Sequence, residues 1–247
     1  MKTKIKFNAI TFPTLQNNDS YFEHILNEEY NWHGILKQYL LLLLLTALYG
    51  FTMGIYHSLL QAVVSALKLP VLFTVTIIIC YPAFFIIQYI LGSKLKLVQM
   101  TAIIQSGFVL TTAIMVSFIP IVIFFLLTGS NYYFLQLLHI AIFIVSGSFG
   151  TKTIIDALRY SCEQKGIYPK IGVDVFRFWI IILAFVGVQL AWNLRPFLGN
   201  RNDPFQMFRK YEGNFYTALI YSVKQLVNDN PDRIEEYEDN KKPPRLK

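Results

Sequence analysis

Residues 69–92 read LPVLFTVTIIICYPAFFIIQYILG. The stretch holds no Asp, Glu, Lys or Arg and exceeds the ~20 apolar residues that carry a helix across a hydrocarbon core. In lipid a backbone must satisfy its own hydrogen bonds, so a run like this is a helix and not an open strand. Pro70 suits a first helical turn, and the span is expected to begin there. Pro82 falls mid-span, where it removes one hydrogen bond and kinks the helix; Pro120 does the same near the end of the next span. Both are read as shaping the bundle.

Comparable runs occupy 36–56, 98–128, 132–157 and 175–194. Apolar residues make up 54% of the 247, charged residues 15%, the reverse of an ordinary soluble domain. The fold class is therefore all-α: a polytopic transmembrane helical bundle of about five spans, with short interfacial helices in the tail. Four regions follow: 1–35, an N-terminal cytoplasmic or interfacial segment with Tyr30 and Trp32 as belt residues; 36–194, the membrane domain; 195–228, an interfacial tail; 229–247, mixed in charge and expected to be disordered. The segment HSLLQAVVSALK at 57–68 either extends the first span or lies in the interface. The first apolar run starts too far in, and is too long, for a cleaved signal sequence. Neither end carries a lipidation motif. Cys80 lies in an apolar span and Cys162 in a polar loop, so no disulfide is expected.

Small residues mark where helices approach closely. Gly50 and Gly54 form a GxxxG pair in the first span. Ser146 and Gly150 in the fourth span and Gly187 and Ala191 in the fifth share that spacing, which points to these two spans packing on each other. Lys94, Lys96, Arg159, Lys165 and Lys170 fall in loops on the side of the N-terminus, while Lys68 is the lone charge in the facing short loops. The positive-inside bias places the N-terminus in the cytoplasm and, after five spans, the tail on the opposite side.

Intramembrane ionisable groups are the usual sign of transport or catalysis, and they are scarce. Asp156 and Arg177 sit at span ends, where they can snorkel and pair with each other, or Asp156 with Lys152 or Arg159. His139 is read as a bundle-facing histidine, because a single histidine does not close a metal site. Gln61, Gln88, Gln105, Gln136 and Gln189 are read as helix-joining amides. If a polar path exists, His139, Gln105, Gln136 and Gln189 are its candidates. Ser148 has no histidine base on a later span, and nucleotide, dinucleotide and zinc-protease motifs are missing. No enzyme, cofactor or metal is expected. The net charge of +7 reflects lysines that flank spans and meet anionic lipid, not nucleic acid.

The tail opens RPFLGNRNDPFQMFRKYEGNFY at 195–216. Pro196 stops the fifth span, and Arg195 then lies at a helix C-terminus, where positive charge is favourable. Gly199-Asn200 reads as a turn. Asp203, Pro204 and Gln206 read as a capped helix start, giving a short helix PFQMFRKY that ends at Gly213. Asn214 then caps FYTALIYSVKQLV, in which Tyr216, Ile220, Val223 and Val227 share one face. Arg195, Arg201, Arg209 and Lys210, with Phe197, Phe205 and Phe208, are the candidates for docking a partner or anionic lipid.

The succession VGVQLAWNLRPFLG, PFQMFR and EGNFY, with the LP-to-G segment at 69–92 and PIVIFFLLTGSNYYF, resembles a group of uncharacterised bacterial multi-pass proteins. The layout is also similar to the five-span Yip1-type proteins. The resemblance implies one membrane fold across 36–220 and no activity. The expected function is a non-catalytic subunit or scaffold of a larger bacterial inner-membrane complex, with lipids, other membrane subunits or further copies of itself as partners. The alternative is an oligomeric channel or facilitator for ions or small solutes.

Overall fold

A computed structural model describes residues 18–26, 31–129, 131–200, 204–208 and 215–227. They form helices α1 (Asp19–Leu26), α2 (Trp32–Gly54), α3 (Leu59–Ile90), α4 (Leu97–Ser117), α5 (Ile119–Leu127), α6 (Tyr132–Glu163), α7 (Lys170–Leu194) and α8 (Phe215–Val227). Five stretches are long and apolar enough to cross a membrane: α2, α3, α4 with α5, α6 and α7. No strand occurs among the described residues. The mixed-charge tail at 229–247 and the early lysines lie outside them.

Helix starts follow local chemistry. Asn31, Ser58 and Asn131 each accept a backbone N–H of their own first turn, from Gly34, Gln61 and Tyr133, which satisfies donors that have no partner inside the helix. The Ser58 cap corrects the expected start of the second span. Residues 59–69 belong to α3, which begins at Leu59 and runs unbroken through Pro70 and Pro82. Lys68 is thus a helix residue and not a loop charge. Pro120 does divide its span. Lacking an N–H, it leaves a break at Phe118 between α4 and α5.

The GxxxG pair in α2 is a packing face. A Cβ on Gly50 would overlap the backbone of Ser65, and one on Gly54 would lie 2.5 Å from Ala62 Cα. Ala62 and Ala66 supply the matching small surface on α3. The pairing expected between the fourth and fifth spans is not the close one. A Cβ on Gly150 would overlap Gly107 O and Thr111 Oγ1, so α6 packs through Ser146 and Gly150 onto α4. A Cβ on Gly187 meets nothing nearer than Thr76 Cγ2 of α3 at 3.9 Å, and Ala191 packs against the cluster that includes Leu69, Leu72 and Phe73 of α3. The cause is Gly107. It opens α4 to a close neighbour, and Thr111, four positions on, completes a small-residue face that sequence reading did not single out.

The N-terminus does more than lie along the interface. In α1, Tyr21, Phe22, Ile25 and Leu26 are buried against α4 and α6. Gln38 Nε2 donates to Tyr21 Oη at 2.6 Å, and Gln99 Nε2 donates to Leu26 O at 2.8 Å. We call this the near end; it also carries the loops after α3 and α6, joined by Lys94 N donating to Ile167 O at 2.9 Å. Tyr168 in the second loop is buried, and that burial, reinforced by Cys162, raises its phenol above the usual range. Arg177 binds Asp174 at 2.9 Å, one turn back on its own helix, and not Asp156. Cys80 and Cys162 are free thiols.

Candidate functional site

The far end is where the tail meets the bundle. After Leu194 the chain leaves helical geometry, and its carbonyls need partners from elsewhere. α3 supplies them from one face, at positions i, i+4 and i+7. Gln61 Nε2 donates to Pro196 O at 2.9 Å, and Ser65 Oγ donates to Phe197 O at 2.6 Å. Lys68 Nζ donates to Pro196 O at 3.3 Å and to Met207 O, and stands 4.6 Å from the centroid of the Phe208 ring. Lys68 is only 5% exposed. Two carbonyls and a ring face meet the three N–H bonds of its ammonium.

The same strap closes the mouth of the bundle. Leu198 is buried with Tyr56 at the end of α2 and Leu135 at the start of α6. Gly199 adopts a φ of 68°, and a Cβ there would come 2.9 Å from His57, so the position admits only glycine comfortably; the turn expected at Gly199-Asn200 runs into 201–203, outside the described residues. Arg195 does not reach away from the bundle; its guanidinium lies 3.4 Å over the Trp192 ring. The short helix expected from Pro204 is absent at 204–208, which is not helical. The Met207 carbonyl is held by Lys68. Phe205, Met207 and Phe208 are left 38, 57 and 53% exposed, and Phe197 is half-buried against the cluster that includes Leu69 and Phe73. Arg201, Asp203, Arg209, Lys210, Gly213 and Asn214 lie outside the described residues. α8 follows, with Phe215 against Trp192 and Tyr221 against Tyr133. Its Tyr216, Ile220 and Val223 face outward, as their spacing foretold.

Beneath the strap runs a second polar feature. His139, one turn below Leu135 on α6, is buried, and its Nδ1 shares a 2.8 Å hydrogen bond with Tyr49 Oη of α2. The expectation of a bundle-facing histidine holds. Its Nε2, however, has no hydrogen-bond partner among the described residues, and neither have Ser146 Oγ, Gln105 Oε1 or Gln38 Oε1. Each such group, left unpaired, costs about 1–3 kcal/mol. They lie on three helices, Gln38 on α2, Gln105 on α4, and His139 and Ser146 on α6. Gln136 and Gln189 do not join them; each is half-buried on the flank of its helix. Ser148 is exposed and donates to Ile144 O within α6.

Sequence reasoning missed Gln61, Ser65 and Lys68 as a set. Their i, i+4, i+7 spacing was the available signal, hidden by starting the helix at Pro70. Comparison of the chain with family models, curated proteins and solved structures found no match.

Proposed function

We propose that this chain is a non-catalytic integral membrane subunit or scaffold of a larger bacterial inner-membrane assembly, with its N-terminus cytoplasmic. One observation carries the reading. Gln61, Ser65 and Lys68 fix the strap by its backbone, which leaves Phe205 and Met207 exposed in a segment whose sequence also carries Arg195, Arg201, Arg209 and Lys210. A backbone held this way spares those two side chains for another molecule, and apolar side chains in a basic stretch of sequence suit a membrane subunit or an anionic lipid surface. The test is native mass spectrometry of tagged protein released in mild detergent. A bound subunit or lipid is expected, reduced when Phe205 and Met207 are both changed to Ser. A lone, lipid-free monomer sinks the proposal.

A second reading, an oligomeric channel or facilitator for ions or small solutes, is favoured by the buried polar atoms of Gln38, Gln105, His139 and Ser146 that have no partner among the described residues.

A further inference from the structure

We infer that the near end carries a docking site for an anionic phospholipid, its phosphate met by Lys94 and Lys170 and its acyl chains by the end of α3 and the start of α7. The inference is separate from the far-end strap and does not depend on what the strap binds.

Two hydrogen bonds build the place. Gln88 Nε2, in the last turn of α3, donates to Gly172 O in the first turn of α7 at 3.2 Å. Gly172 permits that contact, since a Cβ there would come 2.5 Å from Gln88 Oε1. Lys94 N donates to Ile167 O at 2.9 Å, which joins the loops at 91–96 and 164–169. Lys94 lies in the first loop, and Lys170 opens α7 directly after the second. Both lysines therefore sit where two loops and two helix ends are held side by side.

Charge selects the headgroup. The two loops hold no Asp or Glu. Lys94 and Lys170 are exposed and form no ion pair among the described residues, while Glu23 is engaged by Lys165 and Asp174 by Arg177. Lys96 and Lys165 add to the positive field, and Glu163 at the end of α6 offsets one charge. Helix stability does not explain Lys170. It stands at the positive end of the α7 dipole, where a cation is disfavoured, and that first turn has neither an acid nor a side-chain cap.

The apolar surroundings select a lipid over a free phosphate. Tyr89 and Ile90 on α3 and Ile171 on α7 are exposed, at the ends of the two helices that Gln88 ties together. Acyl chains cover such a surface, and a soluble anion leaves it bare. A lysine at a membrane surface strengthens attraction to anionic lipid by about fivefold.

The test is amide exchange of the full chain in mild detergent, titrated with phosphatidylglycerol or with phosphatidylcholine of the same acyl chains. Phosphatidylglycerol should slow exchange in 164–171, at a midpoint roughly tenfold lower than phosphatidylcholine. Lys94→Gln with Lys170→Gln should raise that midpoint about 10- to 30-fold without altering any lipid effect on 196–208, and Lys94→Arg with Lys170→Arg should restore it. Lys37→Gln with Lys152→Gln takes the same charge from exposed positions on α2 and α6 and should shift the midpoint less than about twofold. Equal midpoints for the two lipids, or equal losses in the two Gln pairs, overturn the site. Slowing by glycerol phosphate at the same concentrations would mark a site for soluble anions and overturn the lipid.

Discussion

The near end of the bundle is closed by side chains: Tyr21, Phe22, Ile25 and Leu26 of α1 are sunk among α4 and α6. The far end is closed largely by backbone, with the carbonyls of Pro196, Phe197 and Met207 held by three donors on α3. Apolar burial is non-directional and scales with area, so the near cap depends on which residues are present. Hydrogen bonds to carbonyls depend on geometry and hardly on the identity of the residue bearing the carbonyl. The far cap therefore depends on the α3 donors, with Leu198 the strap side chain that is buried there.

That contrast is open to test, beginning with the largest effect. Ile25, with no exposed surface, becomes an unpaired buried carboxylate in Ile25→Asp. A loss of about 3 kcal/mol or more should lower the melting midpoint by roughly 6–12 °C, read by scanning fluorimetry in detergent. A drop below about 3 °C would mean that α1 is not a true cap.

Lys68→Met comes next. Losing hydrogen bonds from a charged donor costs about 1.5–3 kcal/mol, which should speed amide exchange in 196–208 by roughly 10- to 100-fold while α1 peptides keep their protection. Equal acceleration at both ends would erase the contrast.

Ser65→Ala removes one neutral bond, about 1 kcal/mol, and should speed exchange in the same segment about fivefold. An effect as large as that of Lys68→Met would show that the ammonium has no special part in the strap. Smallest is Glu23→Gln. The Lys165–Glu23 pair spans 3.5 Å, with side chains 37 and 57% exposed, so the change should be under about 0.5 kcal/mol. A midpoint shift of several degrees would show that the near cap is electrostatic.

Much of the frame could be read from the chain. Runs of apolar residues mark all five candidate spans, and Gly50 with Gly54 marks the α2–α3 contact. The alternation in DSYFEHIL, with apolar residues at 21, 22, 25 and 26, was legible as a helix face but was passed over among mixed charges. At the candidate site the reading was uneven. The 195–216 segment stands out in the sequence, but its side-chain pattern does not show that its backbone is what α3 holds. Phe197 and Leu198 turn inward, and a carbonyl has no letter in a sequence. His139 and Gln105 were named as path candidates beside Gln136 and Gln189, and only a known helix rotation separates the first pair from the second.

The sequence by itself determined the helices and their five apolar lengths, because the length and polarity of a run are local properties and a backbone in lipid has few alternatives. It also set where helices start, at Asn31, Ser58 and Asn131, since a cap acts within one turn. Only the tertiary structure decided that α6 pairs with α4 through Gly107, that α3 grips the departing tail, and that Tyr49 of α2 meets His139 of α6. Those outcomes rest on the rotation and register of one helix against another, which are fixed by contacts between residues far apart in the chain.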